Sequence, residues 1–105
     1  MLRFENSEVR KECQTIGLKA FYKCTSLKKV VIPRKVESIG KGAFFGCKNM
    51  TTVTIRTTKL NSKNTGVKVF RGIHAKATIN VPKKKRNAYQ TLLKQKGTNK
   101  TVTIK

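Results

Sequence analysis

Apolar and polar positions alternate by two at four evenly placed points along this chain. Val30 and Ile32, Val53 and Ile55, Ile79 and Val81, and Val102 and Ile104 share one side of their segments. Lys29 and Val31, Thr52 and Thr54, Thr78 and Asn80, and Thr101 and Thr103 share the other. A period of two marks a strand with one face in the core and one in solvent. The segments therefore predict strands over roughly 27–32, 50–55, 76–81 and 99–104, and a fifth, over 4–9, carries Phe4 and Val9.

The strands belong to a longer echo. The run Ile16-Gly17-x-x-Ala20-Phe21-x-x-Cys24-x-x-Leu27-x-x-Val30-x-Ile32-Pro33 is answered by Ile39-Gly40-x-x-Ala43-Phe44-x-x-Cys47-x-x-Met50-x-x-Val53-x-Ile55, always at an offset of 23. Subtracting 23 from Leu27, Ile32 and Ile39 lands on Phe4, Val9 and Ile16, so the register extends upstream. Downstream the offset becomes 26, carrying Phe44, Cys47, Val53 and Ile55 to Phe70, Ile73, Ile79 and Val81; the three extra residues fit a polar loop over Asn61–Gly66. From Ile79 and Val81 the offset of 23 predicts Val102 and Ile104 as the last pair. Self-similarity at a fixed period predicts a solenoid in which each unit contacts only its neighbours. The expected division is one domain: a partial first repeat at 1–15, repeats at 16–38 and 39–61, a degenerate repeat at 62–82, and a C-terminal cap at 83–105.

Consecutive strands joined by about 17 residues and recurring in one direction pair in parallel. Ala20, Phe21 and Cys24, with Ala43, Phe44 and Cys47, then close the core from the return limb, facing Val30, Ile32, Val53, Ile55, Ile79, Val81, Val102 and Ile104. In Lys83–Lys96, Ala88, Tyr89, Leu92, Leu93 and Lys96 recur at helical spacing, with Pro82 favourable before the start and Gly97 as a stop. This predicts a helix that packs Tyr89, Leu92 and Leu93 over the final unit. No comparable element precedes Phe4, so the segment reads as the C-terminal part of something longer or as a short member with its first unit exposed. An uncovered parallel edge invites a second copy, which predicts self-association there.

The quoted repeats resemble the BspA-like leucine-rich repeats, whose units read approximately Ile-Gly-x-x-Ala-Phe-x-x-Cys-x-x-Leu-x-x-Val-x-Ile-Pro. The third unit departs, with Val69, Ile73 and Lys76 in place of Ala, Cys and Leu. The tail through Tyr89, Leu92, Leu93, Gly97 and Val102-Thr103-Ile104-Lys105 is similar to the basic C-terminal segment of many members. The resemblance implies a mainly β, right-handed stack of about five short parallel strands with one C-terminal capping helix. It also implies a bacterial cell-surface or secreted module that binds protein or glycan in adhesion-type recognition, with no catalytic residue to carry over.

Charge changes the picture next. Lys and Arg total 25 against four acids, Glu5, Glu8, Glu12 and Glu37, and residues 38–105 hold sixteen basic residues and no acid. Such an excess attracts polyanions, whether cell-wall polymer, anionic glycan, nucleic acid or lipid head group, without choosing among them. The simpler account is that Lys decorates solvent-facing positions. Lys83, Lys84, Lys85 and Arg86 form the candidate anion-binding run. Nucleic acid is disfavoured as partner, because only Tyr89 lies near that run and no helix-turn-helix, ribonucleoprotein or zinc-finger spacing occurs.

The remaining chemistry is sparse. Cys13, Cys24 and Cys47 lack zinc-site spacing. Cys24 and Cys47 hold equivalent places in successive units, about 4.8 Å apart, yet side chains in equivalent rotamers point alike, which predicts buried free thiols rather than a disulfide. Cys13 falls in the column of Val36. One His, no Asp and scattered Glu give no acid–base or metal constellation, so neither catalysis nor a cofactor is expected. Gly40-Lys41-Gly42 begins like a phosphate loop, but the repeat explains it. His74 reads as a surface or capping residue. The sequons at Asn49 and Asn99 fall at the beginnings of strands and carry no functional weight. The outward columns Lys29, Val31, Thr52, Thr54, Thr78, Asn80, Thr101 and Thr103 form the candidate recognition face. Thr also favours exposed strands for its shape alone, and Lys29, Val31 and Asn80 break the regularity that ice binding needs. No apolar run of membrane-spanning length occurs, and Met1-Leu2-Arg3-Phe4 is not a signal peptide, so an extracellular location rests on the resemblance.

Overall fold

A computed structural model of the chain describes the backbone of residues 6–8 and all of residues 14–105. Seven short strands and one helix follow in order: β1 (Asn6–Glu8), β2 (Thr15–Ile16), β3 (Lys29–Ile32), β4 (Ser38–Ile39), β5 (Thr52–Ile55), β6 (Thr78–Asn80), α1 (Arg86–Gln95) after a 3₁₀ turn at Lys83–Lys85, and β7 (Thr103–Ile104). Five strands make one parallel sheet in the order β1-β3-β5-β6-β7. The strands predicted at 27–32, 50–55, 76–81 and 99–104 are there but start later, because the residues before each are spent in turns. Leu27, for example, donates its N–H to Cys24 O at 3.1 Å before β3 begins. Of the predicted first strand, Phe4 and Val9 lie outside the described residues, as does Cys13.

The register follows the repeat offset until the last strand. Val30 pairs with Val53 and Val53 with Ile79. Ser7 pairs with Val30 at the same offset of 23. At β7 the expectation fails: Thr78 pairs with Thr103 and Ile79 with Ile104, an offset of 25 rather than 23. The connection here runs through α1, so its length is set by the helix and the turn at 97–101, where Val102 donates to Asn99 O at 3.1 Å. A slip of two residues keeps every side chain on its own face. Val102 stays buried at 8% exposure, yet Ile104, not Val102, stands beside Ile79.

A second ladder was not anticipated. β2 and β4 pair in parallel, Thr15 with Ser38 and Ile16 with Ile39, and Ile39 bridges onward to Thr65. The Ile-Gly pair of each unit is thus the end of a short strand. Between the two ladders the return limb is a chain of turns that divides its amides strictly. Phe21, Phe44 and Gly46 donate across to Ala43 O at 2.7 Å, Val69 O at 3.0 Å and Arg71 O at 2.9 Å, while Ala20, Tyr22, Ala43 and Phe45 donate to the carbonyl three residues back. Every such amide is satisfied without regular secondary structure, as buried backbone requires.

That limb needs positive φ at two places per unit. Gly42 and Gly46 supply it in one unit, whereas Lys19 (φ 52°) and Lys23 (φ 54°) occupy the same places a unit earlier and Lys68 (φ 60°) one of them a unit later. An L-residue there costs roughly 1–2 kcal/mol. The phenyl rings inside the limb stack in a column, Phe21 on Phe44 at 5.1 Å and Phe44 on Phe70 at 5.4 Å between centroids.

The core runs along the units as Leu27 and Met50, Val30, Val53 and Ile79, Ile16 and Ile39, Ala43, Phe44, Cys47, Val69 and Phe70, all buried. Ala20, expected in it, is exposed, and Phe21 and Cys24 are only half-buried. Their limb has a described neighbour on one side alone, so nothing described covers their other side. Val81 is also half-buried. The helix behaves as expected: Tyr89, Leu92 and Leu93 are its buried residues. The Tyr89 hydroxyl donates to Thr57 O at 2.7 Å and accepts from Leu60 N at 3.3 Å, which pins α1 to the 57–60 segment.

Candidate recognition surfaces

On the outer side of the five-stranded sheet the pairing fixes two rows. Lys29, Thr52, Thr78 and Thr103 make one, and Val31, Thr54 and Asn80 the other. Lys105 joins the second, since it donates to Ile79 O at 2.9 Å and accepts from Val81 N at 3.0 Å. Thr101 is not part of either row; the two-residue slip of β7 leaves it in the preceding turn. Val31, Thr52, Thr54, Thr78 and Asn80 are half-buried, while Lys29 and Thr103 are exposed. Neighbouring strands lie about 4.8 Å apart, so hydroxyl, amide and ammonium groups repeat at that interval along a rigid ribbon.

At the C-terminal ends of β3, β5 and β6 the ribbon gives way to a groove. Three adjoining hollows of about 350, 370 and 350 Å³ all have Arg34 and Arg56 in their walls. Lys35 and Pro33 line the first, Thr54, Ile55, Asn80, Val81 and Pro82 the second, and Thr58, Pro82 and Lys84 the third. The local cause is the repeat. Each strand is followed at once by a turn whose leading residues, Pro33-Arg34-Lys35, Arg56 and Pro82-Lys83-Lys84, fall at matching or adjacent register positions, and Arg56 N extends the ladder to Ile32 O at 2.8 Å. Of the predicted anion-binding run only Lys84 reaches the groove. Lys83, Lys85 and Arg86 lie at the start of α1 without lining it, and their charges there oppose the helix dipole. Arg34 and Arg56 escaped the sequence reading, which looked for a charge run. Charges recurring just past successive strands were the available signal.

Among the described residues no carboxylate lines this groove, and the ion pair found among those residues joins Lys59 to Glu37 at 3.7 Å. The opposite wall of the units carries exposed Leu18 and Val67, with Tyr22 stacked on Phe45 at 5.3 Å and Lys19 Nζ 4.9 Å above the Tyr22 ring.

The thiols sit where equivalence put them. Cys24 and Cys47 are free. Burial raises both, Cys47 to about 11, where its Sγ lies 3.1 Å from Phe21 O as donor. A thiol so held is a poor nucleophile. His74 Nδ1 accepts the Lys76 amide at 3.0 Å, so the ring caps a turn before β6. Among the described residues no group of three His, Cys, Asp or Glu converges on a metal-sized site, and no helix is long and apolar enough to cross a membrane.

A family model described as BspA type leucine rich repeat region matches residues 1–105 in six copies. Neither a curated protein nor a solved structure matches the chain.

Proposed function

Because this chain belongs to the BspA-type leucine-rich repeat family over its whole length, we propose that it is a non-catalytic recognition module that binds an extended protein or glycan across its five-stranded sheet. The observation that carries this reading is the register: parallel pairing places Lys29, Thr52, Thr78 and Thr103, and Val31, Thr54 and Asn80, in two straight outward rows. Such rows offer hydrogen-bonding groups at fixed intervals on a backbone that needs no ordering when a ligand arrives. Members of the family generally serve as binding scaffolds, typically at cell surfaces, and an extracellular or surface location is part of the proposal. So are right-handed winding of the units as a solenoid, the sense parallel crossovers nearly always take, and the repeat bounds 16–38, 39–61 and 62–82 with a cap at 83–105. Self-association through the outer edge of β1 belongs to it as well.

The test is an array of glycans and matrix proteins probed at physiological salt with the wild-type chain and with Thr52→Tyr/Thr78→Tyr, which blocks one row without touching the core. A ligand held by the wild type and lost by the variant is expected. Equal binding by both removes the sheet face from the function, and a monomer in light scattering at high concentration removes self-association.

A second reading has its own support. The 25 basic residues against four acids favour a polyanion-binding module in which charge supplies the affinity and the repeats are scaffold. Binding that falls steeply between low and physiological ionic strength selects this reading over the first.

A further inference from the structure

We infer that the groove at the strand ends, walled by Arg34, Arg56 and Lys84, is a binding site for a linear acidic polysaccharide, one bearing sulfate or carboxylate along its length. The inference rests on the second reading above and narrows it to one place and one ligand class.

Three observations carry it. The first is concentrated charge: Arg34 and Arg56 wall all three hollows, Lys35 and Lys84 join them, and no carboxylate among the described residues lines any. Like charges gathered without a counter-charge repel one another, and an anion laid among them relieves that repulsion. The planar guanidinium fork suits the paired oxygens of sulfate and carboxylate.

The second is the run of the groove. Its cations come from the turns after β3, β5 and β6, which are neighbouring strands. Successive units therefore each contribute a cation, from turns that follow strands lying about 4.8 Å apart. A linear polymer crossing the strand ends meets cations from three successive units, Arg34, Arg56 and Lys84.

The third is what accompanies the charge. Thr54, Thr58 and Asn80 offer hydroxyls and an amide for sugar hydroxyls, over a floor of Pro33, Ile55, Val81 and Pro82. Among the described residues no aromatic side chain lines the groove. Single-stranded nucleic acids depend on aromatic platforms for their bases, so the lining favours a sugar chain over DNA or RNA.

The experiment titrates the full chain with a fluorescent heparin oligosaccharide and with oligogalacturonate at ionic strength of about 0.15 M, and with single-stranded DNA and inorganic polyphosphate as competitors. Arg34→Gln/Arg56→Gln is compared with Lys63→Gln/Lys94→Gln, which removes equal charge from exposed positions outside the groove. All four positions are exposed, and circular dichroism of each variant serves as the check that it folds. The expected result is binding of at least one acidic saccharide, weakened roughly tenfold or more in the arginine variant and about twofold or less in the lysine variant, as loss of directed charge-assisted bonds predicts. Equal weakening in both variants overturns the site, because affinity then comes from diffuse charge while the polyanion reading itself survives. Tighter binding of DNA or polyphosphate overturns the ligand class. Absence of binding to any of the four probes overturns the inference and the polyanion reading together.

Discussion

Replacing glycine by alanine at two equivalent places in successive units should have opposite effects. A Cβ built on Gly40 stands 2.5 Å from the Leu18 amide nitrogen and 2.7 Å from the Gly17 carbonyl carbon, whereas one built on Gly17 meets nothing within 4 Å. Non-bonded heavy atoms are comfortable at about 3.5–4.0 Å, so Gly40→Ala must push two backbones apart by roughly 1 Å. Those backbones are joined by Gly40 N to Ile16 O at 2.7 Å and Lys19 N to Lys41 O at 3.0 Å. Overpacking costs about 1–3 kcal/mol, and weakening one or two of these bonds adds about 1 kcal/mol each. Gly40→Ala should therefore destabilise by ~3–4 kcal/mol, a large part of the ~5–15 kcal/mol that holds a domain together. Gly17→Ala should be neutral or stabilise by up to ~1 kcal/mol, since alanine narrows the unfolded ensemble without a clash. Urea titrations followed by circular dichroism read both values, and Tm should fall by more than about 10 °C for Gly40→Ala alone. If Gly40→Ala lies within about 1 kcal/mol of wild type, or Gly17→Ala costs as much, the close approach of units at the Ile-Gly pair is not what requires glycine.

Tyr89→Phe should destabilise by about 1–3 kcal/mol in the same titration, because Thr57 O and Leu60 N each lose a buried partner. Lys68→Gly relieves a left-handed residue at the expense of extra freedom in the unfolded chain, so a small gain of up to ~1 kcal/mol is expected; a loss above ~1 kcal/mol means the lysine side chain stabilises the turn. Burial lifts Cys47 from an ordinary 9.0 to about 11, so the unfolded chain gives up its proton first. Its contribution is complete below pH 9 and is lost as pH rises toward 11, with a slope of up to ~1.4 kcal/mol per pH unit. The stability difference between wild type and Cys47→Ala, read from urea titrations near pH 8 and pH 10.5, should change by about 2 kcal/mol in favour of wild type at the lower pH, and no change in the difference would show that the thiol is open to water. Thr54→Lys should leave the urea midpoint within about 0.5 kcal/mol of wild type, since its side chain faces outward.

Much of the fold was legible because its constraints lie inside one repeat. Val30, Val53 and Ile79 must each be buried by the same neighbours one unit away, so the residue types recur at the spacing of the units and reveal both the parallel pairing and its register. The cap was legible for a similar reason: Tyr89, Leu92 and Leu93 share one side of a helix bracketed by Pro82 and Gly97. Where a connection stopped being a repeat, the reading failed. The passage from β6 to β7 goes through α1, and no periodicity could say that its length was 25 rather than 23. The short β2–β4 ladder was missed because two-residue strands leave no alternation to detect, although Ile16 and Ile39 were recognised as equivalent.

The residue pattern alone determined that this chain repeats, that successive strands lie side by side in one direction, and which side chains form the inner columns, since hydrophobic periodicity is a property of each unit. Only the tertiary structure decided what the boundaries and the surface are. Ala20 carries the same motif as Ala43 yet is exposed, because among the described residues its limb has a neighbour on one side alone, and burial follows from neighbours and not from identity. Arg34, Arg56 and Lys84 likewise meet in one groove because three separate turns stack, and a meeting of side chains across units is written in no single stretch of sequence.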